Sequence, residues 1–106
     1  MNRVIFSAQS EHDLSDIVTG LLLWEKVTIT EEEALRYVDD IYFIAYTIPT
    51  LLYHQKCKYE IHRQCGEYNL KYRRNNRTTW YIIYDIDVYS NDVLIQRIIS
   101  NYKTIE

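Results

Sequence analysis

Two His-x2-Cys pairs stand in the stretch HQKCKYEIHRQC, residues 54–65: His54 with Cys57, and His62 with Cys65. Both cysteines of the chain and two of its three histidines fall there. Imidazole and thiolate at such spacing raise zinc as the first candidate chemistry. Geometry argues against it. On one helix the outermost pair would lie about 16 Å apart along the axis. Zinc needs every donor atom within about 2.3 Å of the metal. A turn at residues 58–61 would close that gap, but KYEI holds no Gly, Pro, Asn or Asp to favour one. Neither a metal site nor a cofactor is expected. Cys57 and Cys65 read as small apolar filler beside the helices. A disulfide between them is disfavoured in a reducing compartment.

The second candidate lies on strands. In EYNLKYRR (67–74), Tyr68, Leu70 and Tyr72 alternate with Glu67, Asn69, Lys71 and Arg73. In TTWYIIYDID (78–87), Trp80, Ile82, Tyr84 and Ile86 alternate with Tyr81, Ile83 and Asp85. A two-residue turn at Asn75-Asn76 would place Lys71 and Arg73 on the face of Trp80 and Ile82. A slip of one residue exchanges the faces. An odd-length loop or a bulge would restore agreement, and a bulge or three-residue loop is therefore expected within 74–78. The apolar set then packs on helices. The other face carries Glu67, Asn69, Lys71, Arg73, Tyr81, Ile83 and Asp85. That is either a chemical surface or the ordinary solvated face of a one-side-buried sheet.

Charge marks the same region. The net charge of −3 divides into −6 over residues 1–53, +5 over 54–80 and −2 over 81–106. The basic segment holds Lys56, Lys58, Arg63, Lys71, Arg73, Arg74 and Arg77. Either acidic helices lie beside a basic hairpin, or the segment is a local anion site. Eleven tyrosines against two glycines and one proline suit half-buried sheet surfaces and partner-binding surfaces.

The elements that must position these residues follow from periodicity. RVIFS (3–7) reads as a first strand. Leu14, Ile17, Val18, Leu21 and Leu22 form one helix face ending at Trp24, with Ser10 and Asp13 spaced like a capping box. His12, in the first turn, is expected to be exposed. KVTI connects. Thr30 and Glu33 have capping-box spacing for a second helix, which runs through Ala34, Leu35, Val38, Ile41, Tyr42 and Ala45 to Thr47 or Ile48, before Pro49. Strands are expected at 67–74, 78–87 and 92–101. The chain of 106 residues is read as one α+β domain, residues 1–106. Its order is β-α-α-β-β-β, with a helical hairpin on one face of a small, twisted, mainly antiparallel sheet. No apolar stretch approaches the roughly 20 residues of a membrane span, and no signal peptide is recognised. A cytoplasmic protein with reduced thiols is expected.

This element order, the chain length and WYIIYDI at 80–86 resemble the RelE/ParE superfamily, the toxin halves of type II toxin–antitoxin and plasmid-stabilisation modules. The resemblance covers nearly the whole chain. It implies a cognate antitoxin partner and one of two activities. RelE-like members are mRNA interferases, endoribonucleases that cleave messenger RNA, usually on the ribosome. ParE-like members bind DNA gyrase and are not thought to be nucleases. Ribonuclease chemistry needs a base for the 2′ proton, cations for the phosphate and an acid for the leaving oxygen. On the resemblance, Lys71, Arg73 and Arg77 would hold phosphate, and Glu67 or His62 would act as base. Tyr102 would stack on a base or donate a proton. Lys56, Lys58, Arg63, Arg74 and Tyr81 would bind RNA or the antitoxin. The arginine that family members keep in this strand falls on Tyr81 here.

Overall fold

The computed structural model describes residues 3–23 and 29–103. Trp24 and most of the KVTI connection lie outside the described residues. Strand β1 (Val4–Phe6) leads into helix α1 (Ala8–Leu23), and helix α2 (Glu31–Tyr46) follows. A 3₁₀ turn over Ile48–Thr50 contains Pro49, and a single helical turn α3 (Glu60–Arg63) comes next. Strands β2 (Tyr68–Arg73), β3 (Thr79–Ile86) and β4 (Val93–Ser100) form a meander. The sheet order is β1-β4-β3-β2, with β1 parallel to β4 and the other pairs antiparallel. The β-α-α-β-β-β order and the mixed sheet are those the sequence leads one to expect.

Local chemistry sets the helix starts. Thr30 accepts the Glu33 N–H at 3.1 Å and donates its hydroxyl to the Glu33 carboxylate, capping α2. The expected cap of α1 is wrong by three residues. Ser7 Oγ accepts the Ser10 N–H at 3.0 Å, and the helix begins at Ala8. Ser10 and Asp13 are both buried. Asp13 has another task. Its carboxylate accepts the Ile98 N–H at 2.9 Å and two guanidinium hydrogen bonds from Arg97, at 2.8 and 3.1 Å. β1 has ended by that point, so Asp13 closes the part of the β4 edge that β1 leaves unpaired. Burial pushes this carboxyl upward, but the bonds from Arg97, Ile98 and Gln9 outweigh it and its pKa is lowered.

The main core lies between the helices and the sheet, with Leu14, Val38, Ile41, Ala45, Ile48, Ile82, Tyr84 and Ile95 among its buried side chains. Leu70, Tyr72, Trp80 and Ile86 pack against it, as the alternation requires. Trp80 donates its indole N–H to the Tyr37 hydroxyl at 2.9 Å. The β2–β3 register pairs Tyr72 with Trp80 and Arg73 with Thr79. A five-residue connection over 74–78 results, closed by Arg74 N–H to the Thr78 carbonyl at 2.9 Å. The connection is odd in length, as the facing of the two strands demands, but five residues long rather than the expected three. A bulge also occurs where none was foreseen. Ile83 pairs with Arg97 and Tyr84 with Ile95, leaving Gln96 as the extra residue of β4.

The opposite face departs from expectation. It is not an open surface of polar side chains. After the 3₁₀ turn the chain wraps round the β2 edge: Asn69 N–H donates to the Gln55 carbonyl and Cys57 N–H to the Glu67 carbonyl. It then crosses the back of the sheet as a strap. Cys57, Tyr59 and Cys65 pack over Tyr81, Ile83 and Ile99 in a second, smaller core. Gly66 permits the closest approach, since a Cβ there would meet Ile83 Cγ2 at 3.0 Å and the Tyr84 carbonyl oxygen at 3.3 Å.

Candidate functional site

The candidate residues fall into two groups at opposite ends of β2. At the hairpin end stand Lys71, Arg73, Arg77 and Tyr102, all exposed. The Lys71 ammonium lies 5.9 Å from the Tyr81 ring centroid. Arg73 pairs with Thr79 across the hairpin, two residues along the same face. The connection that carries Arg77 is held by two asparagines. Asn75 Oδ1 accepts the N–H groups of Arg77 and Thr78 at 2.8 and 2.9 Å. Asn101 Nδ2 donates to the Arg77 carbonyl at 3.1 Å, and its Oδ1 accepts the Thr79 N–H at 3.0 Å. Tyr102 follows Asn101 in the 3₁₀ turn that ends β4. Arg73 at the end of β2, Arg77 on the braced connection and Tyr102 in the turn after β4 therefore stand at one end of the sheet, with Lys71 two residues further along β2. Such a cluster can hold a phosphodiester.

At the strap end stand Lys56, Lys58, Arg63 and Glu67, also exposed. Lys56, Arg63, Gln64, Glu67 and Asp85 line a groove of about 520 Å³ together with both cysteines and Gly66. Arg63 is tied to the Glu60 carboxylate at 2.6 Å and to the Lys58 carbonyl at 2.7 Å. Glu67 lies about 13 Å along β2 from Lys71 and about 20 Å from Arg73, at roughly 3.3 Å per residue. Glu67 is therefore not brought to the cation cluster.

Three further expectations are corrected. His62 is not open to act as a base: it is fully buried, between Tyr59 and Tyr81 with ring centroids 5.4 and 4.6 Å away. Among the described residues neither of its ring nitrogens has a hydrogen-bond partner, and burial lowers its pKa. Tyr81 is 7 % exposed, covered by the strap, so its ring is a floor beneath Lys71 rather than a free contact. Arg74 turns to the helix side. It pairs with Asp40, donates to the Tyr72 hydroxyl at 3.1 Å and stacks 4.2 Å from the Tyr37 ring centroid. Alternation gives the reason: Arg73 points away from the helices and Arg74 toward them.

His54 shares a 2.7 Å hydrogen bond with the Tyr84 hydroxyl on the helix side, while Cys57 lies behind the sheet. His12 is exposed, 3.4 Å from the Asp16 carboxylate. Among the described residues no group of three or more His, Cys, Asp or Glu side chains is placed to hold a metal ion. No described helix is long and apolar enough to cross a membrane. Asn75 and Asn101 were not singled out in the sequence as site residues. The first stands in a recognisable turn dipeptide, whereas the second carries no local signal.

Fold and cluster together define an α+β domain with a helical hairpin on one side of a mixed sheet and a basic end on its meander. No family model and no curated protein matches the chain. Among solved structures, the crystal structure of the toxin–antitoxin complex RelBE2 from Mycobacterium tuberculosis is similar at 17% identity, over 92% of this chain and 94% of that chain, with a TM-score of 0.49.

Proposed function

We propose that this chain is a RelE/ParE-like toxin of a type II toxin–antitoxin module and that it cleaves messenger RNA without a metal. What supports the reading most is the position of Arg73, Arg77 and Tyr102 at the hairpin end of the sheet, with Lys71 two residues along β2. In this reaction a ribose 2′-hydroxyl gives its proton to a solvent water, its oxygen attacks the adjacent phosphorus, and the bond to the 5′-oxygen breaks. A cyclic phosphate and a 5′-hydroxyl result. Arg73 and Arg77 hold the phosphate as negative charge builds on its oxygens, and Lys71 adds a third cation. Tyr102 stacks on a neighbouring base or gives a proton to the leaving oxygen. A cognate antitoxin covers the basic face and silences the activity.

A second reading, a non-enzymatic inhibitor of gyrase or another protein, is favoured by one specific observation. Both base candidates stand apart from the cations, Glu67 by distance along β2 and His62 by burial. Primer extension on messenger RNA after induced expression tests the first reading. New cuts that vanish in the Lys71→Ala/Arg73→Ala double variant are the expected result. Growth arrest with intact messenger RNA and with DNA damage replaces the nuclease by the gyrase reading.

A further inference from the structure

The helical hairpin carries a surface that the proposed cleavage does not use. On α2, Leu35, Asp39, Phe43 and Tyr46 follow one another at spacings of four, four and three, so they form one stripe along the helix. Leu35 is 49 % exposed, Phe43 70 % and Tyr46 56 %. Beside the stripe a groove of about 330 Å³ runs between the two helices, floored by Leu14, Val18, Val38 and Tyr42. Glu11 stands at its α1 side and Asp39 at its α2 side. Three large apolar side chains exposed on one stripe, with an apolar groove beside them, make a patch rather than scattered surface residues.

Charge says what fits there. Across α1 and α2 acidic side chains outnumber basic ones eight to one, and of the eight Asp13 and Asp40 are paired with Arg97 and Arg74 of the sheet side. The single basic residue, Arg36, is paired with Glu32. Neither Glu11 nor Asp39 has an ion-pair partner among the described residues. Glu11 accepts a hydrogen bond from the Tyr42 hydroxyl at 2.7 Å. The Tyr42 phenol is pushed upward, first by burial and then by Glu11, with Tyr46 and Asp39 adding to it. The rims are thus negative and the floor apolar. From Leu35 to Tyr46 the stripe is about 16 Å long, room for about three turns of a second helix.

We infer that the seam between α1 and α2 is a docking site for a cationic amphipathic helix from a partner protein. Its apolar face lies on Val18, Leu35, Tyr42 and Phe43, and its lysines or arginines meet Glu11 and Asp39. The site is independent of any reaction at the basic end and lies on the other side of the sheet from Lys71 and Arg73.

The test uses the full chain, isotope-labelled, and a synthetic helix of about 14 residues with leucines on one face and lysines on the other. A counterpart with glutamates in place of the lysines is the control. The expected result is a set of amide shifts confined to residues 11–19 and 35–46 with the lysine peptide and none with the glutamate peptide. Asp39→Lys weakens binding about tenfold, and Phe43→Ser does the same. Both positions are exposed, and circular dichroism checks that each variant keeps its fold. Shifts centred on residues 54–80, equal binding of both peptides, or no binding overturn the inference. So do concentration-dependent shifts at the seam without peptide that persist in Asp39→Lys, which would make a second copy of the chain the occupant.

Discussion

The two faces of the sheet are built by different means. The helix face is covered by two regular helices whose apolar residues recur at a 3.6-residue period, and its core is broad. The back face is covered by a strap with one helical turn, and its core is small and holds a histidine without hydrogen-bond partners among the described residues. The comparison teaches that β3 is a central strand buried on both sides. Its run WYIIY, residues 80–84, is apolar or aromatic at successive positions because both faces need it. An alternation of core and solvent holds only over Leu70–Arg73 of β2, where Lys71 and Arg73 stay outside, while Asn69 on the same face is buried by the strap.

Neighbouring residues on β3 give the sharpest way to break that comparison. Ile82 and Ile83 are both fully buried, the first against the helices and the second under the strap. Ile82→Ala should cost about 4 kcal/mol and Ile83→Ala about 2 kcal/mol, because the strap can settle into the space more easily than two packed helices. Urea unfolding of the two variants measures this. Equal losses would mean that the strap side is as tightly packed as the helix side.

A smaller effect is expected where the strap touches the strand. Gly66→Ala places a methyl 3.0 Å from Ile83 Cγ2 and 3.3 Å from a backbone oxygen. The loss should be about 1.5 kcal/mol. Hydrogen exchange should speed up at Cys57 and Asn69, whose N–H groups hold the strap, and stay unchanged in α2. Exchange that rises equally in α2 would show one undivided core.

The smallest effect concerns His62. Its pKa is lowered from 6.5 in the folded chain, so below that pH the unfolded chain takes up a proton that the folded chain refuses. The stability owed to neutral His62 is complete above about pH 6.5 and declines as the pH falls. His62→Leu removes two unpaired nitrogens and should lie within about 1 kcal/mol of the parent at pH 8. At pH 5 the variant should have gained relative to the parent. A constant difference between the two pH values would show that His62 is hydrated and not sealed under the strap.

Much of the fold was legible because its signals are local. The Thr30 cap, the Pro49 stop, the strand alternation and the need for an odd-length loop at 74–78 are each written within a few residues. The candidate site was legible in part. Lys71 and Arg73 follow from alternation on β2, and the same alternation sends Arg74 to the helix side. His62 was misread because burial under a strap depends on where residues 54–66 cross the sheet. No periodicity records that path.

By itself the sequence determined the helices, the meander and the placing of most basic side chains in one segment, since propensity, capping and side-chain period act between near neighbours. Only the tertiary structure decided how that segment divides. The strap passes over Tyr81 and Ile83, which buries His62 and leaves Lys56, Lys58 and Arg63 at one end of β2. Arg73 at the end of β2 and Arg77 in the turn at 74–78 stand at the other. The same holds for Asp13 and Arg97, 84 residues apart, whose ion pair forms only after β4 lies against α1. Contacts between distant residues depend on the whole chain closing into one shape, and that closure is the step a local pattern does not contain.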